Sequence, residues 1–368
     1  MATKAVETVV YDYLLNAASE IDAKNKLKRD KRIAVSAAKD FLATTQLEEV
    51  LKKIFHKGWY GPIKYNGKRL HSPHKRIVSI FQGDEHLGAH IDGEECVLQY
   101  GAIEESRRLG KVGLEVAEYK SQHRKESKLV VNLIGDIMQG KIHDLCDGDV
   151  MTNQFCAALK YHIELLMFWA TQYSSIEVYC QPGNHGRDTS RHPERAVNQK
   201  WDAQETRLYI AIREAVLNAG INHVKFFIPK TPYCIIPLFN EKAFVTHGDT
   251  ELKPGNPNKS INIANLERQI LKWNTSRYAG GPFKLFACGH IHTASITDLP
   301  GRVVMLTNGC LVPPDGFAGT IGISDVTCCQ YIIESTPEYI VGDRRPIYVD
   351  DADKQSKYND IVTPFRSI

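Results

Sequence analysis

The sequence predicts a layered α/β fold in which strands alternate with long helices and the chemistry gathers beyond the carboxyl ends of the strands. Three observations carry this expectation. Apolar runs of strand length recur at residues 77–81, 129–134, 176–180, 243–245 and 285–288. Longer stretches with apolar residues at helical spacing lie between them. Each run is soon followed by a short polar segment that sets metal-ligating side chains beside a glycine or a turn. These segments are Asp84-Glu85-His86, Gly135-Asp136, Gly183-Asn184-His185, His247-Gly248-Asp249 and Gly289-His290-Ile291-His292.

Taken in chain order, residues 5–18 carry apolar side chains at helical spacing (Val9, Val10, Tyr13, Leu14, Ala17), and 23–32 form a dense basic run. Helical spacing resumes over 33–55. The stretch Gly58-Trp59-Tyr60-Gly61-Pro62 then breaks it, and a second basic cluster over 64–76 leads into the first strand. Residues 1–76 therefore read as a small basic helical N-terminal module with a linker. Residues 77–335 read as the domain that carries the polar segments, with helices over 96–122, 151–173, 204–219 and near 261–273. Residues 328–333 look like a further strand, and 344–353 end in a charged turn. A C-terminal extension over 336–368 is expected to wrap the domain or to mediate oligomer contacts.

A length of 368 residues with 43% hydrophobic content supplies a sizeable core. The formal net charge of +3 hides an asymmetry, because residues 1–76 hold sixteen Lys and Arg against eight Asp and Glu, giving +8 and leaving −5 for the rest. A basic stretch interleaved with Trp59, Tyr60 and Tyr65 suits contact with a nucleic-acid backbone, so nucleic acid is the expected partner. No apolar stretch is long enough to cross a bilayer, and no signal-peptide core stands near Met1, so a membrane partner is not expected. The nine cysteines form no C-x-x-C pair, and their odd number leaves one unpaired, which fits a reducing cytoplasm. Cys328 and Cys329 would point to opposite faces of a strand, which argues against a vicinal redox pair.

One carboxylate and two imidazoles would serve a single zinc, but two Asp, one Asn and four His exceed what one four-coordinate ion needs. The surplus implies two cations. A bridged pair of divalent ions is suited to in-line displacement at phosphorus, which makes phosphate-ester hydrolysis the expected chemistry.

The order and spelling of the five segments resemble the calcineurin-like metallophosphoesterase superfamily, whose pattern runs D-x-H, G-D, G-N-H, a later H, then G-H-x-H. The resemblance covers roughly residues 77–308 and implies two sheets packed face to face and flanked by helices. It implies that Asp84, His86 and His292 hold one metal, that Asp136 bridges both, and that Asn184, His247 and His290 hold the second. It also implies that His185 is no ligand but sits over the phosphate, where it would neutralise charge and protonate the leaving oxygen. Two departures bear on the residues behind the ligands: Gln139 and Gly186 stand where the family often has acids. Asp144, Asp188 and Asp249 are candidates to supply that carboxylate instead.

The guanidinium of Arg187 is shaped for bidentate phosphate contact. His90, Asp92, Arg191 and His192 lie near enough in sequence to line the cleft, and Asn256, Lys259 and Arg277 are placed to reach a substrate. The spelling Asp84-Glu85-His86-Leu87-Gly88 is similar to that of the DNA-repair exonucleases of the superfamily, and Gly183-Asn184-His185-Gly186 to phage-encoded members. The expected function is therefore phosphodiester hydrolysis in DNA with two divalent ions, Mn²⁺ by resemblance. The alternatives are a phosphodiesterase or phosphatase acting on a nucleotide or small ester, and a nucleic-acid-binding subunit with a vestigial site. The complete ligand set argues against the last.

Overall fold

The computed structural model describes residues 75–94, 96, 98–119, 127–141, 148–187, 200–249, 263–276, 280–315 and 327–366. The chain divides into two units, Met1–Gly61 and Pro62–Ile368, and all the described residues belong to the second. The basic helical module expected over 1–76 thus lies outside them, apart from Lys75 and Arg76.

Strands β1 (Arg76–Gln82), β2 (Ser127–Leu133), β3 (Ile176–Cys180) and β4 (Val224–Phe227) run parallel in that spatial order. Parallel neighbours require crossovers, which here are helices α1 (Ala102–Glu118), α2 (Met151–Gln172) and α3 (Gln204–Asn218). Helix α1 starts later than the expected 96–122. Ile91 and Tyr100 exchange backbone hydrogen bonds of 3.0 and 3.1 Å, which close the preceding segment into a loop instead of a helix. Helices α1 and α2 approach closely at Gly113, where a Cβ would meet Leu165 at 2.8 Å, and the Trp169 indole donates to the Gly113 carbonyl at 2.9 Å.

The second sheet comprises β5 (Tyr233–Leu238), β6 (Glu241–Thr246), β7 (Leu285–Cys288), β8 (Ser295–Leu299) and β9 (Val303–Thr307), in the order β5-β6-β7-β9-β8. Strands β6, β7 and β9 are parallel, with β5 and β8 antiparallel at the edges. Finally β10 (Cys329–Ser335) and β11 (Arg344–Tyr348) return to the first sheet, antiparallel beyond β1. The C-terminal residues thus supply an edge strand, after which two 3₁₀ helices, Asp350–Lys354 and Ser356–Asp360, pack on α1.

Period-two alternation sorts each strand between two faces. Ile77, Phe81, Val130, Ile134 and Tyr179 of the first sheet meet Ala243, Val245, Leu285, Ala287, Val304 and Leu306 of the second. This face is therefore the seam of the sandwich, and the crossover helices cover the other face of the first sheet. Phe244, Phe286 and Met305 point away from the seam and receive Leu266 and Ile270 of α4 (Ile263–Asn274). The result is four layers, helices on sheet on sheet on helix, which is the arrangement the resemblance implies. Among the described residues no helix is long and apolar enough to cross a membrane.

Phe244 is fully buried and stacks on both Trp273 (5.8 Å) and Phe286 (5.7 Å). Its replacement by Ala is expected to cost about 3–5 kcal/mol, read as a lowered urea midpoint at unchanged slope.

Candidate metal centre

The five polar segments stand at the carboxyl ends of β1, β2, β3, β6 and β7, so the topology aims all of them at one end of the sandwich seam. Asp84, His86 and His292 gather in one group, and Asp136, His247 and His290 in a second, the ligand atoms of each lying within 4.8 Å of one another. His86, Asp136 and His185 form a third group that overlaps both. Asn184 joins the second group, its Oδ1 lying 3.1 Å from His247 Nε2. The structure therefore brings all seven sequence-derived ligands together, with His185 between the two halves.

The spacings suit cations. Ligands at about 2.1 Å from one ion stand about 3.0 Å apart when octahedral and about 3.4 Å when tetrahedral. His86 Nε2 is 3.2 Å from His292 Nε2, which is 3.5 Å from Asp84 Oδ1. His247 Nε2 is 3.1 Å from Asp136 Oδ2. Oδ1 of Asp84 is buried and has no hydrogen-bond partner among the described residues, which would be costly for a carboxylate serving only the fold. The residues present fit two divalent ions, of which one would be held by Asp84, His86 and His292 and the other by Asn184, His247 and His290, with Asp136 between.

Hydrogen bonds behind the ligands fix which imidazole nitrogen faces the centre. His86 Nδ1 donates to Gln139 Oε1 at 2.8 Å, and His247 Nδ1 to the Ile134 carbonyl at 2.8 Å, leaving each Nε2 inward. His185 Nδ1 donates to the Gln139 carbonyl at 2.7 Å, and its Nε2 lies 3.9 Å from Asp136 Oδ2. The backbone is bent to the same end. Asp84, His86, Asp136, His290 and His292 all adopt left-handed conformations, with φ between 50° and 73°. Such conformations cost about 1–3 kcal/mol each and collect at functional sites. Close approach is absolute at Gly183, where a Cβ would fall 2.0 Å from Asp136 Oδ1.

Electrostatics prepare the imidazoles. Burial favours the neutral form of His86, His290 and His292, and pulls the last two down to about 4. Neutral imidazole is the ligating form. At His247 burial acts the same way, but the Asp136 carboxylate overrides it and pushes this imidazole up to about 10. At Asp136 burial opposes ionisation, yet His247 and His185 hold it well below the usual carboxylate range. Burial, opposed by His247 and reinforced by Asp136, lifts the Asp84 carboxyl to about 8.

Gln139, noted in sequence as a departure, is thus the partner that orients His86. The other departure, Gly186, leaves room for Glu205 of α3. A Cβ at 186 would meet Glu205 Cγ at 2.6 Å, and the fully buried Glu205 carboxylate accepts from the amides of Ile137 and Gly183, each at 2.6 Å. One side chain therefore binds the loop of Asp136 to the loop of Asn184. Of the acids considered from sequence for this duty, Asp249 instead pairs with Lys200 at 2.6 Å, while Asp144 and Asp188 lie outside the described residues.

Arg187 is half-buried two residues past His185, and its Nε has no hydrogen-bond partner among the described residues. His90 and Asp92 are exposed, and Asp92 caps a local turn through the Glu94 amide at 2.9 Å. Arg191, His192, Asn256, Lys259 and Arg277 lie outside the described residues. Two supports escaped the sequence reading besides Glu205. Gln330 of β10 accepts from the Gly83 amide (3.0 Å) and from Asn308 Nδ2 (2.7 Å), and Glu85, buried between two ligands, lies 3.4 Å from His162 of α2. A glutamine inside the apolar run of β10 was the available signal for the first.

No protein-family model and no curated protein matches the chain. Similar solved structures include a 5′-nucleotidase from Candida albicans SC5314, with 11% identity and a TM-score of 0.34 over 81% of this chain and 56% of that one. This chain thus spans little more than half of that protein. A metallophosphoesterase from Sphaerobacter thermophilus shows 12% identity and a TM-score of 0.31 over 79% and 96% of the two chains. The phosphopantetheinyl hydrolase PptH from Mycobacterium tuberculosis shows 10% and 0.25 over 64% and 91%. At such scores the case rests on the residues themselves.

Two outcomes are expected. Protons on Asp84 and His247 at pH 7 must leave before a cation is bound, so metal uptake releases protons and affinity rises with pH toward 8 and above. Calorimetric titration in buffers of different ionisation enthalpy measures this release, and uptake without it would contradict the proton placement. Glu205→Ala strands the Ile137 and Gly183 amides, at about 1–3 kcal/mol for each buried donor, which denaturant unfolding of the metal-free chain reads directly.

Proposed function

We propose that this chain is a dinuclear metal-dependent phosphoesterase that hydrolyses phosphodiester bonds, with DNA as its substrate class and Mn²⁺ as its metal. The observation that carries the reading is the convergence of Asp84, His86, Asp136, Asn184, His247, His290 and His292 with a further imidazole, His185, set between the two groups. When bound there, divalent ions supply Lewis-acid neutralisation of phosphoryl charge and a lowered pKa for water.

The chain's own residues do the rest. His185 is held by the Gln139 carbonyl through Nδ1, which turns its Nε2 toward the centre, 3.9 Å from Asp136 Oδ2, where it would carry a proton to the leaving oxygen. Asp136 accepts the His185 backbone amide at 2.8 Å, which locks the position of that ring relative to both groups. Arg187 is the group we assign to a phosphoryl oxygen, since a guanidinium makes two parallel bonds to phosphate. The choice of DNA is supported by the Asp84-to-Gly88 spelling and by the +8 charge of residues 1–76 beside Trp59, Tyr60 and Tyr65.

The test is hydrolysis in Mn²⁺ of single-stranded DNA, duplex DNA, RNA, cyclic dinucleotides and bis-p-nitrophenyl phosphate. DNA cleavage is expected, together with DNA affinity that falls steeply as salt rises. Turnover of the small diesters alone would move the substrate to a nucleotide or small ester. His185→Ala should keep both metals and lose about 10²–10⁴-fold in kcat, and an undiminished rate would remove its role.

A further inference from the structure

Two ion pairs, each with a buried cation and a partly buried carboxylate, stand behind the two halves of the centre, and their basic members come from outside the five motifs. Behind the first half is Arg108 of α1, whose side chain is wholly buried. It donates from Nε (2.9 Å) and Nη2 (2.5 Å) to the two oxygens of Asp353 in the C-terminal 3₁₀ helix, and from Nη1 to the Leu311 carbonyl. Leu311 in turn donates its amide to the Asp84 carbonyl at 2.9 Å. The same guanidinium lies over the Tyr100 ring at 5.3 Å, and the Tyr100 hydroxyl donates to the Glu85 carbonyl at 2.7 Å. One cation thus reaches two adjacent carbonyls of the turn in which Asp84 and His86 both take left-handed backbone.

Behind the second half is Lys200, whose side chain is only 6% exposed. Its Nζ donates to the Pro182 carbonyl at 2.9 Å and to Asp249 Oδ1 at 2.6 Å. Pro182 leads into Asn184 after β3 of the first sheet, and Asp249 follows His247 after β6 of the second. Lys200 therefore ties together two loops from opposite sheets whose ligand atoms lie 3.1 Å apart.

We infer that Arg108–Asp353 and Lys200–Asp249 are positioning pairs with separate duties. The first sets the Asp84, His86 and His292 half, and the second sets the Asn184, His247 and His290 half. The inference rests on the dinuclear reading above and extends it to how each site is held. Neither cation touches a ligand atom from its own side chain; each acts through the backbone that carries one. A pair with a buried cation suits this duty because losing the carboxylate leaves that cation charged and poorly solvated, so the loops cannot drift apart cheaply.

The experiment uses the full-length chain, stripped by chelator and titrated with Mn²⁺ alone, with free ion read by electron paramagnetic resonance. His292→Ala and His290→Ala supply backgrounds in which only the second or only the first half remains. Lys200→Met is expected to weaken Mn²⁺ at least tenfold in the His292→Ala background and to leave it within twofold in the His290→Ala background. Asp353→Asn is expected to do the reverse. Where either fails to fold, by far-UV dichroism, Lys200→Arg and Asp353→Glu keep the charge, shift the donor or acceptor, and should give the same crossed pattern at smaller amplitude. Equal weakening in both backgrounds, or none in either, overturns the separate duties. A wild-type chain that takes up no Mn²⁺ overturns the dinuclear reading itself, and the pairing with it.

Discussion

Two carboxylates, four imidazoles placed to ligate a metal and a carboxamide are crowded into one largely buried pocket, and that crowding is the constraint the rest of the molecule answers. Polar groups this dense would, left to themselves, prefer water. They stay because each is fixed by something that does not yield: an amide donating to Asp84 Oδ2 from His290, an amide donating to Asp136 Oδ1 from His185, a carbonyl accepting from His247. Burial then keeps three imidazoles neutral, while Asp136 and His247 share their charge. The pocket is a set of mutually opposed electrostatic preferences held in place by backbone hydrogen bonds.

That fixing demands unusual backbone. A strand that ends in an ordinary turn would send its side chains away from the seam, whereas left-handed residues at Asp84, His86, Asp136, His290 and His292 fold each loop back over it. Asp and His tolerate this region better than branched residues do, so one residue choice serves both the conformation and the chemistry. The cost is met by neighbours that leave space or donate bonds: Gly183 against Asp136, Gly289 against Asp84, Gly186 against Glu205.

The motifs were legible in the sequence because ligands and turns sit side by side along the chain, directly after apolar runs that could only be buried strands. Their convergence followed from those five runs once the layered fold was inferred. Strands β4, β5, β8 and β11 were not read, since Lys225, Pro237, Asp298 and the Arg344-Arg345 pair break any simple alternation at sheet edges; the interior apolar strand β9 was not read either. Glu205, Lys200 and Arg108 were invisible for a different reason. Each acts on a loop far away in sequence, from a helical position where a charged residue ordinarily faces water. Only the packing shows that these three are buried.

The division of ligands between sheets has a consequence for how the centre forms. Asp84, His86, Asp136 and Asn184 follow strands of the first sheet, and His247, His290 and His292 follow strands of the second. Each half contains ligands from both sheets, so neither half exists until the sheets dock. Ligand spacing is then set by the thickness of the seam, and close to the site that thickness depends on side chains such as Ala287, clustered with Ile134 and Phe81. Interiors packed to crystal density transmit such spacing without slack. The same apolar contacts that make the sandwich stable therefore gauge the distance across which the two groups of ligands face one another, and the chemistry of the pocket is coupled to a core that contains no polar chemistry of its own.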